Sequence, residues 1–235
     1  MMAGAVTAGW QAAAAPVLQL NQLASQTGAA TPWSVGFAGA TADFAPLPLK
    51  TSGVWPADLH GNFYRNGPAM MQRGSERYQH WFDGDGMVHA WRFSDQGVSH
   101  QARFVQTKKF AAEQQAGEFL VPAFGTAIEP KIPLRSSDTM NTANTNVIKM
   151  DGRLLALWEG GSAHAMDATS LQTQGMVSWS PELAGMPFSA HPKVEADGTM
   201  WNFGTMLDKV VMYQFSPQGK LVKHHVMKCP RSAMV

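Results

Sequence analysis

Short apolar runs separated by glycine, asparagine, aspartate and proline make up the chain beyond Lys50. Alternation of apolar and polar positions between turn-forming residues is typical of β-strands. Seven segments show this pattern and are predicted to be strands: MVHAWRF, SHQARFVQT, NTNVIKM, RLLALWE, TMWNFGTM, KVVMYQF and KLVKHHVM. The segment KKFAAEQQAGEF at residues 108–119 has helical character instead. The pattern therefore predicts an all-β fold with one short helix beyond Lys50.

Two similar segments indicate a repeated antiparallel unit. AWRFSDQGVSHQARFV at residues 90–105 matches MYQFSPQGKLVKHHVM at residues 212–227, so that Phe93 and Phe215 occupy equivalent places. Residues 152–175 follow a looser version of the same pattern. Repeated antiparallel units at a spacing of about 50–70 residues are typical of β-propeller blades. Because a propeller ring needs about four blades or more, the two or three units in this chain predict an incomplete ring.

The N-terminal segment has a different composition from the remainder. No lysine or arginine precedes Lys50, and residues 1–45 are rich in alanine, glycine, threonine and proline. AGAVTAGWQAAAAP is apolar like the core of a signal peptide, but it lacks the positive residues that such peptides carry before that core. We predict a tail or signal-like segment at residues 1–45 and the propeller blades at residues 46–235. A cytoplasmic and a periplasmic location both remain open.

Charge and cysteine content exclude several classes of partner and site. The chain has 18 lysines and arginines against 17 aspartates and glutamates, a net charge of +1, and its basic residues form no stripe. This balance argues against a nucleic-acid partner. Cys229 is the only cysteine, so the chain has no intramolecular disulfide framework and no thiolate cluster for a metal. The eight histidines are the plentiful candidates for metal ligands.

The segment HWFDGDGMVHAW at residues 80–91 is the densest polar motif. Asp83 and Asp85 alternate with glycines, but the glutamate that completes an EF-hand calcium loop is absent. We interpret both carboxylates as parts of a turn that bind backbone amides, with the glycines at positive φ. His80 and His89 flank this turn and are interpreted as structural.

Another turn is predicted in GNFYRNGPAM, residues 61–70. Asn66, Gly67 and Pro68 are typical turn residues, so the strand is expected to end there. Arg65 is expected to brace the turn through its planar donors.

Two further residues have unusual surroundings in the sequence. Glu159 follows the apolar run RLLALW, and an unpaired buried carboxylate is costly, so it is predicted to have a partner such as a histidine N–H. His191 precedes Pro192, which favours extended backbone for the residue before it. His191 is therefore held in a defined direction, either as a metal ligand or as a structural histidine at the start of a strand.

Seven motifs, taken together and in this order, resemble those of the carotenoid cleavage oxygenase family, which also includes lignostilbene dioxygenases and a retinoid isomerase. They extend over nearly everything from about residue 53 onward, and they are GNFYRNGP, HWFDGDGMVHAWRF, RFVQTKKF, NTANTNV, GRLLALWEGG, LQTQG and FSAHPKVEADGTMWNFG. Each motif alone has little specificity, whereas seven in register are highly specific.

The resemblance implies a seven-bladed β-propeller, of which this chain covers roughly the first half. It also implies a non-haem Fe(II) on the propeller axis, held by four histidines that second-shell glutamates orient. By motif, His191 corresponds to the first iron ligand. Glu159 corresponds to an orienting carboxylate for a histidine of a later blade, and Thr145 to a residue near the open coordination position of the iron. The other three ligands have no counterpart in this chain, so the chain alone is expected to bind little iron.

The family activity implied is oxidative cleavage of a conjugated C=C bond in a carotenoid, an apocarotenoid or a stilbene, which gives two carbonyl products. The implied partners are a lipophilic substrate, O2, a membrane surface in peripheral contact and a complementing C-terminal half. Two alternatives remain: a non-catalytic propeller scaffold, and an isomerase that uses iron as a Lewis acid.

Overall fold

The computed structural model describes residues 37–229. The predicted tail or signal-like segment at residues 1–45 lies mostly outside this range. The chain divides into two units, residues 1–39 and residues 40–235, and all strands described below belong to the second. No helix among the described residues is long and apolar enough to cross a membrane.

Sheet 1 is antiparallel and has four strands. In chain order they are β1 (Phe44–Pro48), β2 (Gly61–Met70), β5 (Asp85–Ser94) and β6 (Gly97–Phe104), and their spatial order is β1–β6–β5–β2. A separate two-stranded ribbon is formed by β3 (Gln72–Arg73) and β4 (Glu76–Arg77).

Two further four-stranded antiparallel sheets follow, each with its strands in sequential order. Sheet 2 consists of β7 (Asn146–Met150), β8 (Arg153–Leu157), β9 (His164–Met166) and β10 (Thr173–Met176). Sheet 3 consists of β11 (Lys193–Val194), β12 (Met200–Met206), β13 (Lys209–Phe215) and β14 (Leu221–Lys228). All seven predicted strands are confirmed. Four-stranded antiparallel sheets are the unit from which β-propeller blades are built.

The predicted helix is also confirmed, as α1 (Lys108–Ala116). The side chain of Thr107 accepts a hydrogen bond from the amide of Phe110 and caps the first turn. Gly117 ends the helix in the left-handed conformation, with φ of 71°. This cap stops the helix before the predicted end at residue 119.

The sheets pack face to face through β8, which is buried on both sides. Because side chains alternate along a strand, Leu154 and Ala156 pack against Val88 of sheet 1, within one apolar cluster. Leu155 and Leu157 belong to a second cluster with Val211, Tyr213 and Phe215 of sheet 3. Burial of each leucine stabilises the fold by about 1.5–3 kcal/mol. A strand buried on both faces explains why its sequence is continuously apolar.

The repeated unit corresponds to hairpins, but the two copies differ in place. Residues 90–105 lie in the β5–β6 hairpin and residues 212–227 in the β13–β14 hairpin. The first hairpin is the middle of sheet 1, whereas the second includes the edge strand of sheet 3. Phe215 is fully buried in the apolar cluster that sheets 2 and 3 share, whereas Phe93 is only partly buried.

The turn predicted at Asn66, Gly67 and Pro68 is wrong, because β2 continues through these residues to Met70. Proline lacks the N–H that a central strand needs, and it is tolerated at edge strands and bulges. β2 is an edge strand that pairs only with β5, and its register shifts between Pro68 and Met70. The strand thus accommodates the proline without turning.

The glycines near Asp83 and Asp85 have a different role from the predicted one. Gly84 has φ of −63°, and Gly86 is not in the left-handed region either. A Cβ on Gly86 would lie 2.2 Å from the carbonyl oxygen of Ala143. The glycine is therefore needed for the close approach of the 141–145 loop rather than for a positive φ.

The predicted role, in which both carboxylates bind backbone amides, is found for Asp83 but is wrong for Asp85. Asp83 accepts a hydrogen bond from the amide of Gly125 at 2.8 Å. Asp85 instead joins a buried ion cluster in which its oxygens contact Lys109 at 2.8 Å and Arg73 at 2.9 Å. Glu113 of α1 lies 2.8 Å from the same lysine. This cluster of two cations and two anions fastens the helix to sheet 1.

Candidate functional site

A cavity of about 500 Å³ lies between the three sheets. It is bordered by β2, by the end of β8 and by the segments that lead into β7 and β11. All three predicted site residues line it. Its polar lining consists of Arg65, Asn66, Asn144, Thr145, Glu159 and His191. Its apolar lining consists of Gly67, Pro68, Trp81, Phe82, Phe124 and Trp158. Arg65, for which a bracing role was expected, lies at this cavity.

The side chains of His191 and Glu159 meet at the polar side of the cavity. Nε2 of the imidazole lies 2.7 Å from Oε1 of the carboxylate, and the imidazole is 59% exposed whereas the carboxylate is 14% exposed. The predicted partner of Glu159 is thus a histidine. Oε1 accepts no well-directed hydrogen bond from the described residues, so this oxygen keeps the capacity to accept one.

The backbone before His191 is held from two sides. The side-chain amide of Asn202, in β12, donates to the carbonyl of Ser189 at 2.8 Å. The side-chain amide of Asn146, at the start of β7, donates to the carbonyl of Ala190 at 2.7 Å. These two amides fix the direction in which the chain presents His191.

Side-chain amides also connect the sheets behind the cavity. Asn66 of β2 donates to the carbonyl of Asn146 at 2.9 Å, and Asn146 in turn donates to Ala190. We call this series, Asn66 to Asn146 to Ala190, the amide relay. It ties sheet 1 to sheet 2 and sheet 2 to the segment that leads into sheet 3.

Thr145 reaches the cavity from a loop with a strained backbone. Ala143 has φ of 46°, in the left-handed region that residues other than glycine rarely adopt. Its carbonyl accepts a hydrogen bond from Asn66 at 2.8 Å, and Gly86 donates to the neighbouring carbonyl of Thr142 at 2.8 Å. Such strain persists where surrounding contacts over-determine the conformation, and it is concentrated at functional sites.

Four aromatic side chains also line the cavity, those of Trp81, Phe82, Phe124 and Trp158, and we call them the aromatic wall. Phe82 is 60% exposed and Phe124 is 64% exposed, with their ring centroids 6.3 Å apart. The pattern of the sequence did not predict this wall. The signal available was that Trp158 directly precedes Glu159, and that Trp81 and Phe82 directly precede the aspartate turn.

The two histidines that flank the aspartate turn are engaged in structural contacts. His80 accepts a hydrogen bond from the amide of Phe82 at 3.1 Å. His89 lies 3.0 Å from His100, ring nitrogen to ring nitrogen. Burial, followed by the neighbouring charges of His100 and Arg65, lowers the pKa of His89 to about 4. Both histidines therefore have the structural surroundings that the sequence predicts.

The described residues do not supply a full set of metal ligands. Residues 37–229 contain no group of three or more histidine, cysteine, aspartate or glutamate side chains that could hold a metal ion. His191 nevertheless fits one position of a histidine-ligated iron centre. Its imidazole is exposed to the cavity, and a carboxylate with an unsatisfied oxygen lies beside it.

Comparison with known proteins gives a family match over most of the chain. The profile of RPE65, retinal pigment epithelial membrane protein, matches residues 38–235. Apocarotenoid-15,15'-oxygenase of Synechocystis sp. is 36% identical over 202 residues, which are 78% of this chain and 40% of that protein. Resveratrol cleavage oxygenase 1 of Aspergillus fumigatus is 33% identical, over 80% of this chain and 38% of that protein. Lignostilbene-alpha,beta-dioxygenase isozyme III of Sphingomonas paucimobilis is 30% identical, over 80% of this chain and 40% of that protein.

Solved structures agree with this match. A variant of the Synechocystis apocarotenoid oxygenase superimposes with a TM-score of 0.72 at 30% identity, over 84% of this chain and 44% of that chain. The variants of that enzyme replace a threonine, a tryptophan and a glutamate whose spacing equals that of Thr145, Trp158 and Glu159. The chain spans about two fifths of the length of the curated relatives named above. With its all-β sheets and its matching motifs, the chain belongs to the RPE65 family of carotenoid cleavage oxygenases.

Proposed function

We propose that the chain functions in an Fe(II)-dependent dioxygenase that cleaves a conjugated C=C bond of a carotenoid, an apocarotenoid or a stilbene. The observation that carries this proposal is that one cavity is lined by both the His191–Glu159 pair and the aromatic wall. The names of the relatives support it, since they are oxygenases of an apocarotenoid, of resveratrol and of a lignostilbene.

The aromatic wall suits a planar conjugated substrate. Aromatic rings attract one another in offset or edge-to-face arrangements, worth about 0.5–1.5 kcal/mol per pair beyond the area buried. Phe82, Phe124 and Trp158 present such rings to the cavity. A volume of about 500 Å³ lies within the range of small-molecule sites, about 300–1,000 Å³. Trp81 adds a fourth aromatic side chain to the same lining.

His191 would be one ligand of the iron, and Glu159 would orient a ligand histidine from a later blade. Imidazole nitrogen is a suitable donor for Fe(II), and carboxylates that accept from ligand histidines fix the tilt of the ring. Bound Fe(II) would supply the position at which O2 reacts. A solved relative, the Synechocystis enzyme in cobalt-substituted form, supports the expectation of a bound metal.

The proposed reaction is balanced without a further reductant. The substrate C=C bond and the O–O bond of O2 break, and two C=O bonds form, so that each product carries one oxygen atom from O2. The aromatic residues of the cavity would hold the double bond. Thr145 would border the position at which O2 enters.

The three sheets would be the first blades of a seven-bladed β-propeller. The remaining iron ligands would then come from blades in a complementing C-terminal half, which agrees with a cavity lining that contains one histidine, His191. A lipophilic substrate would be drawn from a membrane surface in peripheral contact. The net charge of +1 adds no electrostatic attraction to such a surface.

The test of this function is incorporation of labelled oxygen. The 235-residue chain, alone and co-expressed with the C-terminal half of a relative, is supplied with Fe(II), ¹⁸O2 and either a stilbene or an apocarotenoid. We expect one O2 consumed per substrate and one ¹⁸O atom in each carbonyl product from the co-expressed assembly. Isomerised substrate without O2 consumption would contradict the dioxygenase and identify a Lewis-acid isomerase. No binding of iron and no turnover in either preparation would indicate a scaffold.

A further inference from the structure

Phe124 of the aromatic wall belongs to a segment that neither regular structure nor burial holds in place. Residues 118–136 contain no helix and no strand, so no ladder of backbone hydrogen bonds fixes them. Phe124 itself is 64% exposed, so packing of its ring contributes little to its position. The place of this ring in the cavity therefore depends on contacts that its neighbours in the chain make.

Asp83 supplies two of these contacts. Its Oδ1 accepts a hydrogen bond from the amide of Gly125 at 2.8 Å, and its Oδ2 accepts one from the hydroxyl of Thr126 at 2.5 Å. Hydrogen bonds to a carboxylate are about twice as strong as those between neutral groups. Asp83 is 1% exposed, so water does not compete for these bonds. Both oxygens of the carboxylate thus hold the two residues that directly follow Phe124.

The residues before Asp83 contact the same loop. The amide of Gln79 donates to the hydroxyl oxygen of Thr126 at 2.8 Å. A Cβ on Gly125 would lie 2.2 Å from Cβ of His80, so only glycine allows the loop to approach so closely. The loop is therefore fitted against residues 79–83 by its backbone and by one hydroxyl.

The turn that carries Asp83 is itself fixed relative to the cavity. The side-chain amide of Asn144 donates to the carbonyls of Phe82 at 2.8 Å and of Gly84 at 2.7 Å. Asn144 also lines the cavity. Asp83 therefore connects a fixed side of the cavity to the loop that carries Phe124.

We propose that Asp83 is a positioning residue for substrate binding, whose carboxylate holds Gly125 and Thr126 and thereby places the ring of Phe124 in the aromatic wall. The inference deepens the proposed function and rests on it for the conjugated substrate, whereas the geometric part concerns the loop alone. One aromatic contact corresponds to about 2–10-fold in affinity. Release of the loop is therefore expected to weaken binding of a conjugated ligand by the same factor.

The experiment measures the affinity of the 235-residue chain, without added metal, for trans-stilbene, followed by the fluorescence of this ligand. Thr126→Val removes the hydroxyl that binds Asp83 with little change of shape, and Thr126→Ser keeps it. Ser162→Ala is the matched control, because Ser162 is also buried and its hydroxyl also donates to a buried carboxylate, that of Asp138, at 2.8 Å outside the cavity lining. We expect Thr126→Val to bind trans-stilbene about 2–10-fold more weakly, and the other two variants to resemble the unmodified chain.

A double-mutant cycle with Phe124→Ala separates positioning of the ring from a general loss of stability. If the hydroxyl acts through the ring, Thr126→Val has no further effect on affinity in the Phe124→Ala background. Three results would overturn the inference: unchanged affinity in Thr126→Val, an equal loss in Thr126→Val and Ser162→Ala, or the same loss with and without the ring of Phe124.

If Thr126→Val does not fold, Asp83→Asn, which keeps the volume of the side chain and loses one acceptor, takes its place. A crystal structure of the variant gives a readout that needs no ligand, in which displacement of Phe124 supports the inference and an unmoved ring contradicts it. Absence of trans-stilbene binding by the unmodified chain would count against the proposed function, and the crystal structure would still decide the role of Asp83.

Discussion

Nε2 of His191 lies 2.7 Å from Oε1 of Glu159, although one residue precedes sheet 3 and the other follows a strand of sheet 2. The pair therefore forms only when the two sheets are stacked. The family resemblance assigns His191 to the iron. Its neighbour in the fold is Glu159, the carboxylate that follows the apolar run RLLALW.

Glu159→Gln is expected to weaken metal binding by about 10–100-fold, because the variant replaces an anionic oxygen beside the imidazole by a neutral group of the same size. The measurement is competition for Co²⁺ against a coloured chelator, with the co-expressed assembly. Glu195→Gln is the control, since Glu195 is exposed and accepts a hydrogen bond from the ring N–H of Trp201 at 2.7 Å. Equal affinity in both variants would remove Glu159 from the metal site.

Phe124→Ala is expected to raise KM for a conjugated substrate about 2–10-fold, because it removes one aromatic contact of about 0.5–1.5 kcal/mol. Steady-state kinetics measure the change. Phe63→Ala is a suitable comparison, since Phe63 is similarly exposed but does not line the cavity. The aromatic wall would have no part in substrate binding if the two variants had the same KM.

Lys109→Met is expected to lower the free energy of unfolding by about 3–5 kcal/mol, because it leaves Asp85 and Glu113 as buried charges with too little compensation. Burial alone would lower the pKa of Lys109, but the charge of Asp85, with further contributions from Tyr78 and Glu113, raises it above its usual value. Chemical denaturation measures the loss.

The control for this change is Lys131→Met. Lys131 also lies 2.7 Å from a glutamate, Glu118, but this ion pair is on the surface, where such pairs contribute about 0–1 kcal/mol. A loss for Lys109→Met as small as that for Lys131→Met would mean that the buried cluster adds little to stability.

Gly204→Ala is expected to destabilise the fold by about 1–3 kcal/mol, as overpacking does in well-packed interiors. Its Cβ would lie 1.9 Å from the carbonyl oxygen of Pro187, in the segment that leads to His191. Gly67→Ala is the control, because its Cβ would meet nothing within 4 Å and its φ is not positive. Equal melting temperatures of the Gly204→Ala and Gly67→Ala variants would show that the segment at Pro187 moves aside without loss of stability.

Stability is expected to decrease on acidification as His89 becomes protonated in the unfolded chain. The pKa of His89 is about 4 in the fold, below its ordinary value of 6.5, so the unfolded state binds more protons between these two pH values. Its contribution is full above pH 6.5 and is lost as the pH falls toward 4. Denaturation at a series of pH values measures this slope. His89→Gln should flatten it, and an unchanged slope would assign the effect to other groups.

The strands and the helix could be predicted because local pattern and tertiary environment agree in them. KVVMYQF alternates in the sequence and is a strand with alternating burial in the fold. The end of β2 was predicted wrongly at Asn66, because turn preferences depend only on the local sequence. Whether a strand tolerates Pro68 depends instead on its place in the sheet, and β2 has no second neighbouring strand among the described residues. Gly86 was misjudged for a related reason: its close neighbour, Ala143, is distant in sequence.

The site was predictable only where a residue stood out against its surroundings. Glu159 after an apolar run and His191 before a proline were such residues. Thr126 and Asn146 are ordinary in the sequence, and their importance arises from hydrogen bonds to segments that are distant in sequence. The only signal for the aromatic wall was its position beside Glu159 and the aspartate turn, because cavity lining and core filling use the same side chains.

The amide relay has a thermodynamic consequence for any molecule that occupies the cavity. Asn66 belongs to both the relay and the cavity lining, and the relay ends at the residue before His191. A ligand that needs the lining intact binds only when all three sheets are docked. Binding of the ligand therefore stabilises the docked arrangement of all three sheets. At a ligand concentration one hundred times its Kd, the stabilisation is about 2.7 kcal/mol. Occupancy of the cavity and assembly of the sheets become a single coupled equilibrium.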